Sequence, residues 1–562
     1  MNNREISNLF STLAKLMDIH RENSFKIKTY SNAAFAIDKL PFQLNSVSKE
    51  KIPFIKDIGA RVAENIIEIL DTGQLSRLNE LILQTPQGIL ELMKIKGIGA
   101  KKIAVIWHEL GIETPGELLY ACNENRLIDC KGFGKKTQSN IQNALEFYFS
   151  NQGHYLYAQV ETIANDFQKI LESHYGSTHT KCVGAFARQE DTIEILEWVL
   201  MTTVSDAINV FSTFQDFELV EQNHQSLLYQ SQQNLKFHFH ISDEENFAKV
   251  SFLKSCSSKF LKDFESFFNI KIEQETFASE ADFFKQLHIP YIPKYGRSTF
   301  SQGVSNSSDF YDNIIQFKDI KGVIHNHSVW SDGAHTIEEM AIACIEKGYE
   351  YLVMSDHSAS SFYANGLSIE RIKKQQDEIE LLNQKLAPFK IFKSIECDIL
   401  YDGSLDYDDS VLSSFDLVIA SIHQQLDMDE EKSMQRLLGA IQNPYTTILG
   451  HSTGRLLLSR KGYPINHQEI IKACKAHHVA IEINANPRRL DIDWQWIPYA
   501  QEQEVMLSIN PDAHHTNGLN DIRYGVLSAQ KGLLKSFNNL SSKSLVEFEK
   551  YLVEVKNKKG IV

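Results

Sequence analysis

The sequence predicts a multidomain chain: an all-helical amino-terminal region, a mixed middle region and a carboxy-terminal α/β domain built on parallel strands. Three observations predict it. The chain has 562 residues, far more than the ~250–300 at which single hydrophobic cores stop growing. Three similar glycine turns recur between helical patterns in the first quarter of the chain. Seven short apolar runs alternate with helical patterns towards the carboxyl end, and six of them lead into His, Asp or Glu.

The carboxy-terminal domain is organised around His325-Asn326-His327-Ser328-Val329-Trp330-Ser331-Asp332-Gly333, entered from Val323-Ile324. Side chains alternate along an extended segment, so His325 and His327 face one side and one metal ion. Asp332 follows on the next turn. Residues 352–355 lead into Asp356-His357, 389–395 into Glu396, 417–422 into His423, 447–450 into His451, and 505–511 into Asp512-Ala513-His514. The seventh run, 479–483, ends at Asn484. Helical patterns such as 336–348 and 466–478 separate most of the runs. Strand–helix alternation with buried strands implies a parallel sheet. Reactive groups at the carboxyl ends of such strands imply a closed α/β barrel.

The order H-x-H, S-D-G, D-H-S, I-E-C-D-I-L, S-I-H, G-H-S-T-G-R, E-I-N-A-N-P and P-D-A-H resembles the polymerase and histidinol phosphatase (PHP) domain. Its closest likeness is the version joined to bacterial family X DNA polymerases. The resemblance runs from Ile320 to the carboxyl terminus. It implies a distorted (β/α)7 barrel with three divalent metal ions, commonly Mn²⁺. The mixed nitrogen and oxygen donors also suit Zn²⁺ or Fe²⁺. The ligands it implies are His325, His327, Asp332, His357, Glu396, His423, His451, Asp512 and His514. Glu396 is the expected bridging ligand, because a carboxylate has two oxygens and an imidazole one free nitrogen. Glu396, Asp356 and Arg455 are the residues expected to serve catalysis. Asp356 would orient ligands or substrate, as would Asn484. Arg455 would either hold a phosphate bidentately or be an ordinary surface arginine. One departure is Val323, where the family has Asp; it touches a contact behind the ligands and no ligand.

The formal net charge is -15, but it is unevenly spread. Residues 1–150 carry 19 Lys and Arg against 17 Asp and Glu, and the remainder 38 against 55. The acidic excess therefore does not exclude nucleic acid at the amino-terminal region. Seven cysteines without a C-x-x-C pair point to a reducing compartment. No signal-peptide core and no apolar run near ~20 residues is present. A soluble, cytoplasmic, monomeric protein with no membrane partner is expected.

Residues 1–150 read as helical. Within them F-I-K-D-I-G-A-R at 54–61, K-G-I-G-A-K-K at 96–102 and K-G-F-G-K-K at 131–136 share the helix-hairpin-helix pattern. Glycines let the backbone approach a phosphate, the next helix offers free N–H groups, and the lysines add charge without reading bases. Gly97, Gly99, Lys101, Lys102, Gly132, Gly134, Lys135 and Lys136 are the expected DNA contacts. The first copy carries Asp57 near the leading glycine and is the weakest. Residues 24–34 and 68–73 also resemble the amino-terminal domain of family X polymerases.

Residues 151–296 stand where that family has an α+β palm and thumb, and 282–293 look like its closing thumb motif. The palm has decayed. Ala185 replaces the serine of its Gly-Ser motif, Ile195 and Glu197 stand for the D-x-D pair, and His238 for the third aspartate. An isoleucine cannot ligate a metal, and Glu with His is a poor hard-oxygen site. Glu190, Asp191 and Glu194 lie near enough for a shifted alignment to use. Residues 297–316 read as a linker and 317–562 as the PHP phosphoesterase.

These readings converge on a metal-dependent phosphodiesterase acting on DNA ends. The resemblance implies a 3′–5′ exonuclease of DNA repair that binds gapped DNA or 3′ ends without sequence preference. Three alternatives stay open: an active family X polymerase with PHP proofreading, a PHP phosphatase on small phosphoesters, and a non-catalytic DNA-end scaffold.

Overall fold

The protein is described by a computed structural model covering all residues except 41, 57, 96, 129, 131, 151–152, 233, 302–309 and 562; the side chains of Arg4 and Ser150 also fall outside the description. Asp57, Lys96, Lys131 and residues 302–309 of the expected linker thus lie outside the described residues. The chain divides into two compact units, Met1–Tyr148 and Phe149–Val562.

The first unit is helical. Its opening helix Asn3–Ile19 starts from a capping box between Asn2 and Glu5. It buries Ile6, Phe10, Leu13 and Met17, the i, i+4, i+7, i+11 stripe of an amphipathic helix. In each glycine turn the central apolar residue plugs the core: Ile58, Ile98 and Phe133 are buried. Gly97, Gly99, Gly132 and Gly134 stay exposed. Gly97 and Gly132 hold φ of 101° and 91°, a region that side chains disfavour. Helices Ala60–Thr72 and Ala100–His108 begin at Gly59 and Gly99 with no side-chain cap. By contrast, Asn2, Asn23 and Thr114 cap their helices.

The second unit begins with a five-stranded mixed sheet: β1 (Thr180–Val183), β2 (Ile195–Met201), β3 (Phe217–Gln222), β4 (Ser226–Ser231) and β5 (Lys236–Ser242), in the order β1-β2-β5-β4-β3. Only the β2–β5 pair is parallel. Leu196, Trp198, Phe237 and Phe239 alternate onto the buried face, the period of two that a half-covered sheet demands. An aromatic cluster of Phe252, Phe260, Phe264, Phe277, Phe283 and Phe284 follows.

The barrel strands are β6 (Gly322–Val323), β7 (Tyr351–Met354), β8 (Lys390–Asp398), β9 (Leu417–Ser421), β10 (Thr446–Leu449), β11 (Ala480–Asn484) and β12 (Leu507–Asn510). They pair in sequence order, all parallel. The edges meet through a parallel bridge between Asn326 and Ala513, where His327 N–H donates to Ala513 O at 2.9 Å. The result is a nearly closed (β/α)7 barrel. Leu352, Ile391, Val418 and Ile481 pack outwards towards the helices. Tyr351, Val353, Phe392, Ile419 and Ile448 pack on Leu540, Phe548 and Leu552, from the carboxy-terminal segment and its helix Leu545–Lys558. Among the described residues no helix is long and apolar enough to cross a membrane.

The structure corrects the start of the expected linker. Arg297 is fully buried. It donates to Ile292 O at 2.9 Å, Ser255 Oγ at 2.6 Å and Glu280 Oε2 at 2.6 Å. Its guanidinium lies over the rings of Phe252, Phe284 and Tyr291. Composition placed Arg297 at the start of a polar linker; the structure places it inside the aromatic cluster as a planar cation. Ile314 and Ile315 are buried as well. Replacing Arg297 by Ala leaves the half-buried Glu280 carboxylate without its cation, with Tyr291 OH still donating to it at 3.1 Å. The expected cost is about 3–5 kcal/mol, read as a lower denaturation midpoint by calorimetry.

Candidate metal centre

The barrel brings the nine side chains of the H-x-H to D-A-H series to one place. His325 and His327 follow β6, His357 follows β7, His423 follows β9, His451 follows β10, and Asp512 and His514 follow β12. Glu396 differs: it lies within β8, which runs on to Asp398. All nine are buried or nearly so. His325 and Asp512 hold left-handed φ of 66° and 52°, a strained conformation for side-chain-bearing residues that the surrounding bonds must fix.

Glu396 is the hub. Its Oε1 lies 3.2 Å from His325 Nε2, 3.1 Å from His423 Nε2 and 2.9 Å from His451 Nε2. Its Oε2 lies 3.0 Å from His357 Nδ1 and 3.6 Å from His327 Nε2. Donor atoms gather into three overlapping groups: His327–Asp332–His357–His514, His325–His327–Asp512 and His357–Glu396–His423, each within 4.8 Å. Burial disfavours every charge here. Even so, His423, His325 and His357 hold Glu396 well below the usual carboxylate range. Against its burial, His357 is raised to about 9 by Asp332 and Glu396. His327 is pushed down to about 3 by burial and by His514 and His357.

The donor set fits divalent metal. His325 Nε2, His327 Nδ1, both ring nitrogens of His357 and Glu396 Oε2 are buried without a hydrogen-bond partner. Buried polar atoms are nearly always paired, and imidazole with carboxylate is the donor mixture of a borderline divalent ion.

Sequence reasoning missed the groups that aim these donors. Glu482, inside β11, lies 2.6 Å from His325 Nδ1. It also accepts from His451 N–H at 3.2 Å, Asn484 Nδ2 at 2.8 Å and Asn510 Nδ2 at 2.8 Å. It supplies a carboxylate behind the first histidine, in a barrel where Val323 cannot. Asp398 holds His423 Nδ1 and accepts from Ser360 Oγ at 2.6 Å and Ser361 Oγ at 2.7 Å. The available signal was the lone acid Glu482 in the run 479–483 and a second acid, Asp398, two residues after Glu396. Asn484 Nδ2 donates to Asp512 Oδ2 at 3.1 Å, as an orienting residue would.

Two expected catalytic residues have other work. Asp356 accepts from Ser328 N–H and Oγ, both 2.7 Å, from Ser331 N–H at 3.2 Å and Oγ at 2.5 Å, and from Gln375 Nε2 at 2.6 Å. It is a positioning residue that pins the S-x-x-S loop carrying Asp332. Arg455 is corrected outright. It is a partly buried pairing residue rather than an ordinary surface arginine. It bonds Asp493, Leu490 O, Arg489 O at 2.9 Å and Asp191 Oδ2 at 3.2 Å. Its planar fork is consumed by protein acceptors.

In the palm, Glu197 on β2 stands directly opposite His238 on β5, and Ile195 opposite Lys236. Ala185 lies in the short helix Gly184–Ala187. Burial, with His240 beside it, pushes His238 down to about 4. Of the nearby acids, Glu190 and Asp191 are engaged elsewhere and Glu194 is exposed. Glu190 pairs with Lys531 and accepts from Ser298 Oγ at 2.7 Å, Asp191 meets Arg455, and Glu194 lies 3.4 Å from His154.

Carboxylates behind histidines tune ligand basicity and orientation. Asp398→Asn is therefore expected to lower metal affinity by ~10–100-fold while leaving the circular dichroism spectrum intact, measured by competition with a chromophoric chelator.

Comparison with known proteins places the whole arrangement. Two family models match: a helix-hairpin-helix domain at residues 1–75 and a SAM-like helix-hairpin-helix tandem at residues 89–146. The chain is 33% identical over 583 aligned positions to the DNA polymerase/3′-5′ exonuclease PolX of Bacillus subtilis (strain 168), covering 98% of this chain and 99% of that one. It is 28% identical over 207 residues to a probable phosphatase of Thermoanaerobacter sp. (strain X514), 34% of this chain and 77% of that protein. It is 30% identical over 170 residues to a probable phosphatase of Caldicellulosiruptor bescii, 28% of this chain and 63% of that protein. Since the first of these matches runs through hairpins, palm and barrel from one end of both chains to the other, this chain belongs to the PolX family.

Proposed function

We propose that this protein is a DNA-binding, metal-dependent phosphodiesterase that trims 3′ ends, a 3′–5′ exonuclease, on a family X scaffold whose palm has lost nucleotidyl transfer. The observation that carries the proposal is the gathering of nine buried donors around Glu396. The names of the relatives, a DNA polymerase/3′-5′ exonuclease and two probable phosphatases, support the hydrolytic part of this reading. In domain terms, residues 1–150 bind DNA, 151–296 form the inactive palm and thumb, and 317–562 form the phosphoesterase.

The three donor groups would hold three divalent ions, Mn²⁺ before Zn²⁺ or Fe²⁺. Bound ions of this kind supply a strong nucleophile near neutral pH and offset phosphate charge. The chain's own part is positioning. Glu396 directs one oxygen to His325, His423 and His451 and the other to His327 and His357. Glu482, Asp398 and Asp356 fix His325, His423 and the Asp332 loop. The closed sheet keeps bulk water from the donors, which strengthens every charge interaction there.

DNA would be held by the hairpins through exposed glycine turns and uncapped helix starts, where backbone N–H groups meet phosphate. Lys101, Lys135 and Lys136 are exposed beside them, with Lys102 half-buried. The loss of nucleotidyl transfer rests on Ile195, on the single acid Glu197, and on the engagement of Glu190 and Asp191 elsewhere.

On a labelled primer–template with Mn²⁺, the protein should shorten the primer, and Glu396→Ala should slow this by at least ~10²-fold. In that Glu396→Ala background no extension is expected with nucleotides in Mg²⁺ or Mn²⁺. Extension that disappears on Glu197→Ala would overturn the palm reading. Phosphate release from small esters alone would select a phosphatase. A separate check concerns the turns. Gly97→Val combined with Gly132→Val should weaken DNA binding roughly tenfold on every sequence and flatten its salt dependence, measured by fluorescence anisotropy.

A further inference from the structure

The palm contains a second H-x-H strand that the exonuclease reading does not use. In β5, Phe237 and Phe239 alternate into the core, so His238 and His240 both face the other side. Their ring centroids are 4.1 Å apart. Glu197 on the neighbouring parallel strand β2 is in register with His238, and its Oε1 lies 3.2 Å from His240 Nε2. One donor atom from each of Glu197, His238 and His240 lies within 4.8 Å of the others. His240 is buried. Glu197 is wedged against Gly184, where an added Cβ would sit 1.9 Å from Glu197 Oε2. That close approach fixes the carboxylate in front of the two rings.

We propose that Glu197, His238 and His240 form a binding site for one divalent transition-metal ion of the zinc class. Two imidazoles and one carboxylate match the three-ligand set of open zinc sites, in which a further position is left to water or a ligand. The 3.2 Å between Glu197 Oε1 and His240 Nε2 is the spacing of two ligands sharing one ion with bonds about 2 Å long. The open side faces a cleft of about 1450 Å³ lined by His238, His240, Ser226, Asn246 and Lys254, which gives an ion entry and the free position solvent. Nitrogen donors select against Mg²⁺, which demands oxygen ligands and octahedral geometry. The site thus occupies the palm where a hard-oxygen site has been lost, with a different ion. It goes beyond the exonuclease reading and does not depend on it, because it shares no residue with the barrel centre.

The test counts ions in the full chain. Wild type, His238→Ala with His240→Ala, and the near-isosteric Glu197→Gln are stripped with chelator, reloaded with Zn²⁺ and dialysed. Bound zinc is then measured by plasma mass spectrometry. The double variant should hold one equivalent per chain fewer than wild type. Glu197→Gln, which preserves packing if the double variant misfolds, should bind that equivalent ~10–100-fold more weakly. Exonuclease activity, assayed alongside, should stay unchanged and so separates failure of this site from failure of the barrel. Equal zinc content in all three proteins would overturn the proposal. So would full displacement of the palm equivalent by millimolar Mg²⁺.

Discussion

Glu396 is a carboxylate buried among imidazoles, with His325, His357, His423 and His451 each within 3.2 Å of one of its oxygens. Taking such a charge out of water costs several kcal/mol unless it is neutralised and hydrogen-bonded. The architecture of the barrel supplies that neutralisation. Seven parallel strands end at the same rim, so ligands far apart in sequence converge without any long loop. The bridge from Asn326 to Ala513 closes the rim and brings the first histidines against Asp512. A second layer of carboxylates, Glu482 and Asp398, keeps His325 and His423 aimed.

The same electrostatic cost explains how palm and barrel are joined. Glu161 pairs with Arg523, Glu190 with Lys531 and Asp191 with Arg455. Burial raises Asp191 to about 6 despite the neighbouring arginine. Three acids of the sheet region, Glu161, Glu190 and Asp191, are thereby committed to holding the barrel. An arginine that looked free to grip a phosphate is committed with them. The palm has kept its fold, as its aromatic face shows, while its acids serve contacts between sheet and barrel.

In the first unit the constraint is the opposite one. Polar backbone groups are left open where other helices close them. Ile58, Ile98 and Phe133 anchor the turns from inside, so the glycines can stay at the surface with their backbone exposed. Side-chain caps are absent at Gly59 and Gly99, and a cap at these positions would compete with a phosphate for the same N–H groups.

The hairpins and the barrel were legible in local periodicity, as glycine turns between amphipathic helices and apolar runs ending in His, Asp or Glu, whereas the palm between them was legible only through resemblance to a family. The convergence of His325, His451 and Asp512 followed from placing each at a strand end, while Glu396 joins them from inside β8. Glu482 and Asp398 were not legible, since an acid within an apolar strand gains meaning only from the histidine that the next strand sets beside it. Arg455 and Arg297 were misplaced for the same reason: composition treats a cation as exposed, and only packing shows which acids and rings surround it. His240 repeated the H-x-H signal two residues after His238, yet its pairing with Glu197 depends on strand register. The sequence by itself determined which elements form and which side chains crowd their ends. Tertiary structure decided which charges are buried together, because burial and pairing arise between segments distant in the chain.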